Sequence, residues 1–439
     1  MRDELFQVTE TLNAATTGDE WWTIWYDAEQ TDFARFTGGR VRQAGHVEQI
    51  EARLDYALDG RHGSASFTLG TTTNRSQQVL DVLNTLRLSV RELPQDPHYQ
   101  PCTVPWEVTL SDESAPVDGQ EVTQAVVDAS EGLDLVGILA NGPTIRAFAS
   151  SAGHRLYTHR YSTHLDYSIV EQADRAAKGS YATKTYDRDQ LVSNIQRTAN
   201  QLDLLRRPQK RIEPGLYRVF FAPAALQTIL ELLSWGGFSA RERSTKQSPL
   251  QRLHENSCSL SEAVSLTENT EAGLTPPFQE QGYRCPPSVP LVTDGRAHQA
   301  LVSPRSARAF DLDSNGANDS EVPCALEMAA GTLASDNVLE ALDTGLYVNN
   351  LWYLNYSDRN ACRITGMTRF ATFWVERGKV VAPVSVMRFD DTIYRILGSK
   401  LLALTQEREF RPSADTYFRR STTSMTIPGA LVDEFQLTL

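Results

Sequence analysis

Residues 343–397 read DTGLYVNNLWYLNYSDRNACRITGMTRFATFWVERGKVVAPVSVMRFDDTIYRIL, and this stretch decides the fold class. Two runs, Arg369–Val375 and Val380–Met387, are rich in β-branched and aromatic residues. Such residues suit a pleated, half-buried surface. Between them, Glu376-Arg377-Gly378-Lys379 supplies the glycine that a tight hairpin turn favours. Antiparallel sheet is therefore expected here. Short strands broken by glycine and proline are expected through most of the segment that begins near Gly215. That segment opens with a strand at Tyr217–Phe221 and a helix after Pro223, where a first-turn proline is tolerated. Leu226, Ile229, Leu230 and Leu233 give the helix an apolar stripe, and Gly236-Gly237 stops it.

Working outward, the first segment reads as a helix over residues 2–17, then strands. The strand runs are Trp21–Ala28, Phe33–Phe36, Arg40–Gln43, Val47–Leu58 and Ser64–Leu69, separated by Gly38-Gly39, Gly45 and Asp59-Gly60. A helix follows from Asn74, with Val79, Val82, Leu83, Leu86 and Val90 on one face. The proline-bearing stretch Leu93–Pro105 reads as a linker. The second segment repeats the mixture: a helix at Gln120–Ala129, then strands at Asp134–Ala140, Ile145–Ala149 and His154–Ile169. Asn141-Gly142-Pro143 and Ala152-Gly153 read as turns. A helix over Asp187–Leu205 closes it, and Pro208 and Pro214 mark the next boundary. The expected fold is α+β, with two smaller mixed domains (1–105 and 106–212) and a larger C-terminal domain (213–439) built around antiparallel sheet.

With 439 residues, 41% of them hydrophobic, the chain has material for several cores. A net charge of −13 argues against direct nucleic-acid binding, which calls for a basic face. No run approaches the roughly 18 apolar residues of a membrane span. The amphipathic, acidic N-terminus lacks a signal-peptide core. Cys102, Cys258, Cys285, Cys324 and Cys362 are odd in number, widely spread and without a CxxC pair. This favours reduced thiols and a cytoplasmic location.

No residue cluster announces chemistry. His254-Glu255 lacks the second histidine of a zinc helix, since Cys258 and Ser259 stand one turn on. His154, His159 and His164 recur every five residues. On a strand only His154 and His164 could share a face, so half-exposed strand histidines are the better reading. Cys362 has no histidine within 60 residues in sequence and reads as a structural thiol. No phosphate loop, dinucleotide fingerprint or GxSxG elbow occurs.

Several stretches, in order, resemble the TldD/PmbA family, which includes metallopeptidases. They are DFARFTGGRVRQAGHVEQ (32–49), RHGSASFTLG (61–70), GLDLVGILANGPTIRAFASSAG (132–153) and KGSYATKTYD (178–187). GLTPPFQEQGY (273–283), ALVSPRSARAF (300–310) and DTGLYVNN…FATFWVERGKVVAPVS (343–385) continue the series. The resemblance covers about residues 20–436. It implies that catalytic members carry HExxxH on a helix early in the last domain, plus a cysteine near the C-terminus, to hold the metal. Here that helix is Ala224–Trp235, with Glu231 but no histidine, and the cysteine position falls around Ser421–Thr422.

The chain is therefore similar to TldE/PmbA-type members, which lack the ligands and pair with a TldD-like catalytic subunit. That implies no metal in this chain, zinc in the partner, and unfolded peptide as substrate. The chain could also form a homodimer where the partner is absent. The alternative is a stand-alone peptide-binding or regulatory homodimer, of the kind described as modulating DNA gyrase. Candidate cleft or interface residues are Asn349, Asn350, Trp352, Tyr353, Asn355, Tyr356, Asp358 and Arg359. The amides and charges could bond a peptide backbone, and the rings could pack on it.

Overall fold

The computed structural model describes residues 2–70, 74–112, 117–172 and 175–438. Its N-terminal half is organised by one antiparallel ribbon. Strands β1 (Trp21–Thr37) and β2 (Arg40–Leu58) pair along their whole length, and β3 (Arg61–Thr68) adds to β2. The separate runs read from the sequence at 21–28 and 33–36 are one strand, and Gly45 lies within β2 opposite Phe33.

The segments 1–105 and 106–212 contribute to a single sheet. Strand β4 is Glu107–Ser111, β5 is Asp134–Ser150, β6 is Arg155–Gln172 and β7 is Arg175–Thr183. The order is β3-β2-β1-β5-β6-β4, with β7 also on β6. The β1–β5 pairing, from Thr23↔Ser150 to Phe36↔Gly137, joins the two segments. The 93–105 linker between them is anchored to the C-terminal half. Asp96 accepts from Arg305 Nη1 at 2.6 Å, and Tyr283 Oη donates to the Gln100 carbonyl at 3.0 Å.

Asn141-Gly142-Pro143 is not a turn: β5 runs straight through it. The neighbouring β1 backbone explains the glycine. A Cβ at Gly142 would lie 2.2 Å from the Gln30 carbonyl oxygen, and φ there is +135°. The local sequence buys a close strand approach rather than a chain reversal.

Helices α1 (Arg2–Ala15) and α2 (Arg75–Val90) cover one end of this sheet. The stripe of α2 behaves as its spacing predicts: Val79, Leu83, Leu86 and Val90 are buried. Helix α3 (Gly119–Ala129) packs with α4 (Arg188–Ala199) and α5 (Gln201–Leu205) over the other end. The expected single helix over 187–205 is divided at Asn200, which serves as C-cap of α4 and N-cap of α5.

The C-terminal half is larger and richer in strand. Its strands are β8 (Gly215–Phe221), β9 (Leu266–Glu268), β10 (Val289–Thr293), β11 (Arg296–Ala297) and β12 (Ala325–Met328). They continue as β13 (Gly345–Asp358), β14 (Arg363–Glu376), β15 (Lys379–Pro383), β16 (Arg388–Thr392), β17 (Leu401–Pro412) and β18 (Ser424–Leu437). Strand β8 pairs with both β13 and β18, so β18-β16-β14-β13-β8 closes on itself. Phe435 fills this ring, packing on Phe221 and Phe389 with ring centroids 5.0 and 5.1 Å apart. The α+β class and the larger sheet-based C-terminal domain agree with the sequence reading.

The β14–β15 hairpin has the expected two-residue turn. Glu376 pairs with Lys379, and Arg377 and Gly378 take φ of +49° and +72°. Both left-handed residues are what the right-handed twist of a tight hairpin requires. Helix α6 (Pro223–Leu233) lies against β13 and β18, with Leu226, Ile229, Leu230 and Leu233 fully buried. Among the described residues no helix is long and apolar enough to cross a membrane.

Candidate functional site

Two cavities lie where the N-terminal sheet meets the C-terminal domain. The first, of about 360 Å³, is walled by Trp25, Phe278 and Leu301 and by Glu268, Cys285 and Cys324. Its N-terminal wall comes from β1 and β5, through Asp27 and Arg146. Its floor is the segment between β17 and β18, which reaches across to the N-terminal sheet.

Residues Arg419 and Arg420 hold that segment in place. Arg419 pairs with Asp27 at 3.1 Å and also with Glu51. The buried Arg420 donates to the Gly142 carbonyl at 2.8 Å and to the Ser162 carbonyl at 3.0 Å. Arg146, paired with Asp27 at 2.6 Å, in turn donates to the Arg420 carbonyl at 3.0 Å. Burial lowers the Arg420 guanidinium to about 10, so it stays charged at neutral pH. Within β5, the Gly142 carbonyl thus serves an arginine from the other half of the molecule.

Glu268 is the unusual acid of this cavity. It is buried, and its carboxylate accepts from the Cys324 and Ala325 backbone N–H groups at 3.0 Å each. Desolvation nonetheless pushes it up to about 7, against the lowering effect of those two donors. Burial also raises the neighbouring Cys285 and Cys324 thiols, which are neutral and poorly nucleophilic at neutral pH. These groups could bind a polar ligand, and neither thiol is an activated nucleophile.

The structure separates the eight residues singled out in β13 and its turn. Asn349 and Asn350 reach the second cavity, of about 790 Å³, alongside the start of α6. Asn349 Nδ2 donates to the Ala371 carbonyl at 2.6 Å. Trp352 and Tyr353 are 54% and 78% exposed, and Tyr353 holds φ of +58° at a bulge. Asn355 and Asp358 accept from nearby backbone, the N–H groups of Tyr356 and Ala361. Tyr356 and Arg359 instead fasten the end of α6. Tyr356 Oη donates to the Leu232 carbonyl at 2.9 Å, and Arg359 Nη2 to the Trp235 carbonyl at 2.8 Å.

The remaining sequence candidates find structural partners. His254 Nε2 donates to the Gly237 carbonyl at 3.1 Å, while Glu255 pairs with Lys246. His154 is buried with Nδ1 2.6 Å from Ser150 Oγ. Burial brings His164 down to about 4, so it is neutral under ordinary conditions. Cys362 is fully buried in the C-terminal core, and burial raises its thiol. Glu268 and the Arg419–Arg420 anchor escaped sequence reading, because nothing local marks a glutamate or arginine as buried.

The architecture defines a two-sheet α+β protein with ligand-sized cavities between its halves. Residues 214–439 match the model of the PmbA/TldA metallopeptidase C-terminal domain, and the chain belongs to the PmbA/TldD family. No curated protein matches it in sequence. Among solved structures, TldE from Thermococcus kodakarensis is similar over 100% of this chain and 99% of that one (TM-score 0.78, 12% identity). A candidate modulator of DNA gyrase from Bacteroides thetaiotaomicron covers 99% and 98% (TM-score 0.77, 15% identity). Another, from Thermotoga maritima, covers 99% of each chain (TM-score 0.74, 14% identity). At such identities the likeness is one of fold.

A family zinc site can be tested against the residues present. Setting Glu231 on the glutamate of HExxxH puts Leu230 and Trp235 at the two histidine positions. Leucine offers no donor, and an indole offers only an N–H. Leu230 is buried in the C-terminal core, and Trp235 is 60% exposed. Ser421 and Thr422 line the first cavity, which α6 does not reach. Among the described residues no group of three or more His, Cys, Asp or Glu side chains is placed to hold a metal. These residues do not fit a zinc centre.

Proposed function

We propose that this chain is the subunit without metal ligands of a two-component TldD/TldE-type peptidase acting on unstructured peptides. One observation carries the reading: the helix expected to bear HExxxH has Leu230 and Trp235 where imidazoles belong. A hydrolytic metal polarises the scissile carbonyl and activates water, and both roles need ligands that α6 lacks. The partner would be a TldD-like chain carrying the motif and the zinc, in the cytoplasm. This chain would supply interface and enclose the peptide path, with the exposed Trp352 and Tyr353 available for contact.

The test is affinity capture of the tagged chain from its native lysate, with zinc and peptidase activity measured in the eluate. Co-elution of an HExxxH paralogue with zinc and chelator-sensitive cleavage supports the proposal. Elution alone, without metal or activity, would favour the stand-alone regulatory homodimer.

A further inference from the structure

We propose that the cavity of about 790 Å³ binds a short peptide acid, a peptide segment ending in a free carboxylate. The cavity is walled by β7, α4 and α5 on the N-terminal side. The start of α6, β13 and β17 wall it on the C-terminal side. Its volume is that of a small-ligand site, and such sites concentrate at domain interfaces. The inference goes beyond the assignment as a partner subunit, because this chain alone forms every wall.

Asn350 supplies the first argument. It is 8% exposed, lines the cavity, and its Oδ1 has no hydrogen-bond partner among the described residues. A buried acceptor left unpaired costs free energy, which a ligand N–H placed there would recover. A carboxamide offers an acceptor and a donor, the complement of a peptide group.

The second argument is the positive wall. Helix α6 enters the cavity by its N-terminus, through Ala222, Pro223 and Ala224. Ala222 gives no side-chain cap. Proline has no N–H, so the Ala224 N–H is the first donor this end can offer. Helix N-termini favour carboxylates. Lys178, Arg197 and Arg411 line the same cavity. Lys178 is paired with Asp166 and Arg411 with Glu409, while Arg197 joins no ion pair among the described residues. Acids line the cavity as well, and Glu407 and Glu409 share β17 with Arg411. Glu407 is engaged by Ser335, and Asp336 lines the space just before Val338. This mixed lining, with both charges and the Asn350 carboxamide, suits an extended peptide with its own donors and acceptors better than a compact anion.

Isothermal titration of the purified full chain tests this with N-acetyl-trialanine as the acid, its C-terminal amide, and inorganic phosphate. The acid should bind, and the amide should bind at least about tenfold more weakly, as loss of a charge-assisted contact implies. Arg197→Gln, at an exposed position of α4, should remove most of that preference. Asn350→Leu should weaken acid and amide alike and keep their ratio. Equal binding of acid and amide, displacement of the acid by equimolar phosphate, or no binding by folded protein at millimolar ligand would each overturn the proposal.

Discussion

Arg359 donates to the carbonyl of Trp235 at 2.8 Å and to that of Gln247 at 3.0 Å, tying the β13–β14 turn to the end of α6. Its guanidinium also lies over the Tyr356 ring, 5.2 Å from the centroid. The C-terminal end of α6 is thereby fixed through backbone carbonyls. Replacing Arg359 with alanine should cost about 1–3 kcal/mol in urea unfolding, since two charge-assisted bonds are lost at a partly exposed site. A change within about 0.3 kcal/mol would show that the clamp is decorative.

Glu268 should make stability fall as pH rises. Its folded value, pushed up to about 7, exceeds the ordinary 4.5. Below 4.5 both states are protonated and no penalty exists. Between 4.5 and 7 the unfolded chain ionises while the folded one holds its proton, so stability is progressively lost. The full span corresponds to about 3 kcal/mol. Glu268→Gln should flatten the unfolding free energy over that range relative to the parent. An unchanged profile would mean that another group titrates.

Glu20 should act in the opposite sense. Arg87 grips its carboxylate with Nε at 2.6 Å and Nη2 at 2.7 Å, and holds it down to about 2. Its contribution is complete above 4.5 and is lost as pH falls from there toward 2. Arg87→Met should remove that part of the acid sensitivity and lower stability at pH 7. Acid titration of melting temperature for both proteins reads the difference.

Arg420 joins the two halves through the Gly142 and Ser162 carbonyls. Arg420→Leu leaves both acceptors and the Ser162 hydroxyl without this donor, in a buried place. A cost of about 3 kcal/mol or more is expected. Limited proteolysis should then cut first within 413–423. Protection equal to the parent would show that Arg419 alone seats the segment.

Local pattern made much of this fold legible. The α2 stripe, the Pro223 start of α6 and the Arg377-Gly378 turn each follow from side-chain periodicity or φ preference, properties a short window contains. The union of segments 1–105 and 106–212 was not legible, because it depends on β1 meeting β5 more than a hundred residues away. Asn141-Gly142-Pro143 misled for a related reason: the glycine answers to the Gln30 backbone, not to its neighbours in sequence. At the candidate site, the absent histidines of α6 were visible at once. The burial of Glu268 and the unpaired Asn350 depend on what covers them, which no local spacing encodes.

The purified chain by itself, given zinc and peptide, is the most direct test of a subunit without metal ligands. Zinc should be far below one equivalent after incubation and desalting, and unstructured peptide should stay intact until an HExxxH paralogue is added. Stoichiometric zinc with chelator-sensitive cleavage by this chain alone would show that it is itself the catalytic subunit.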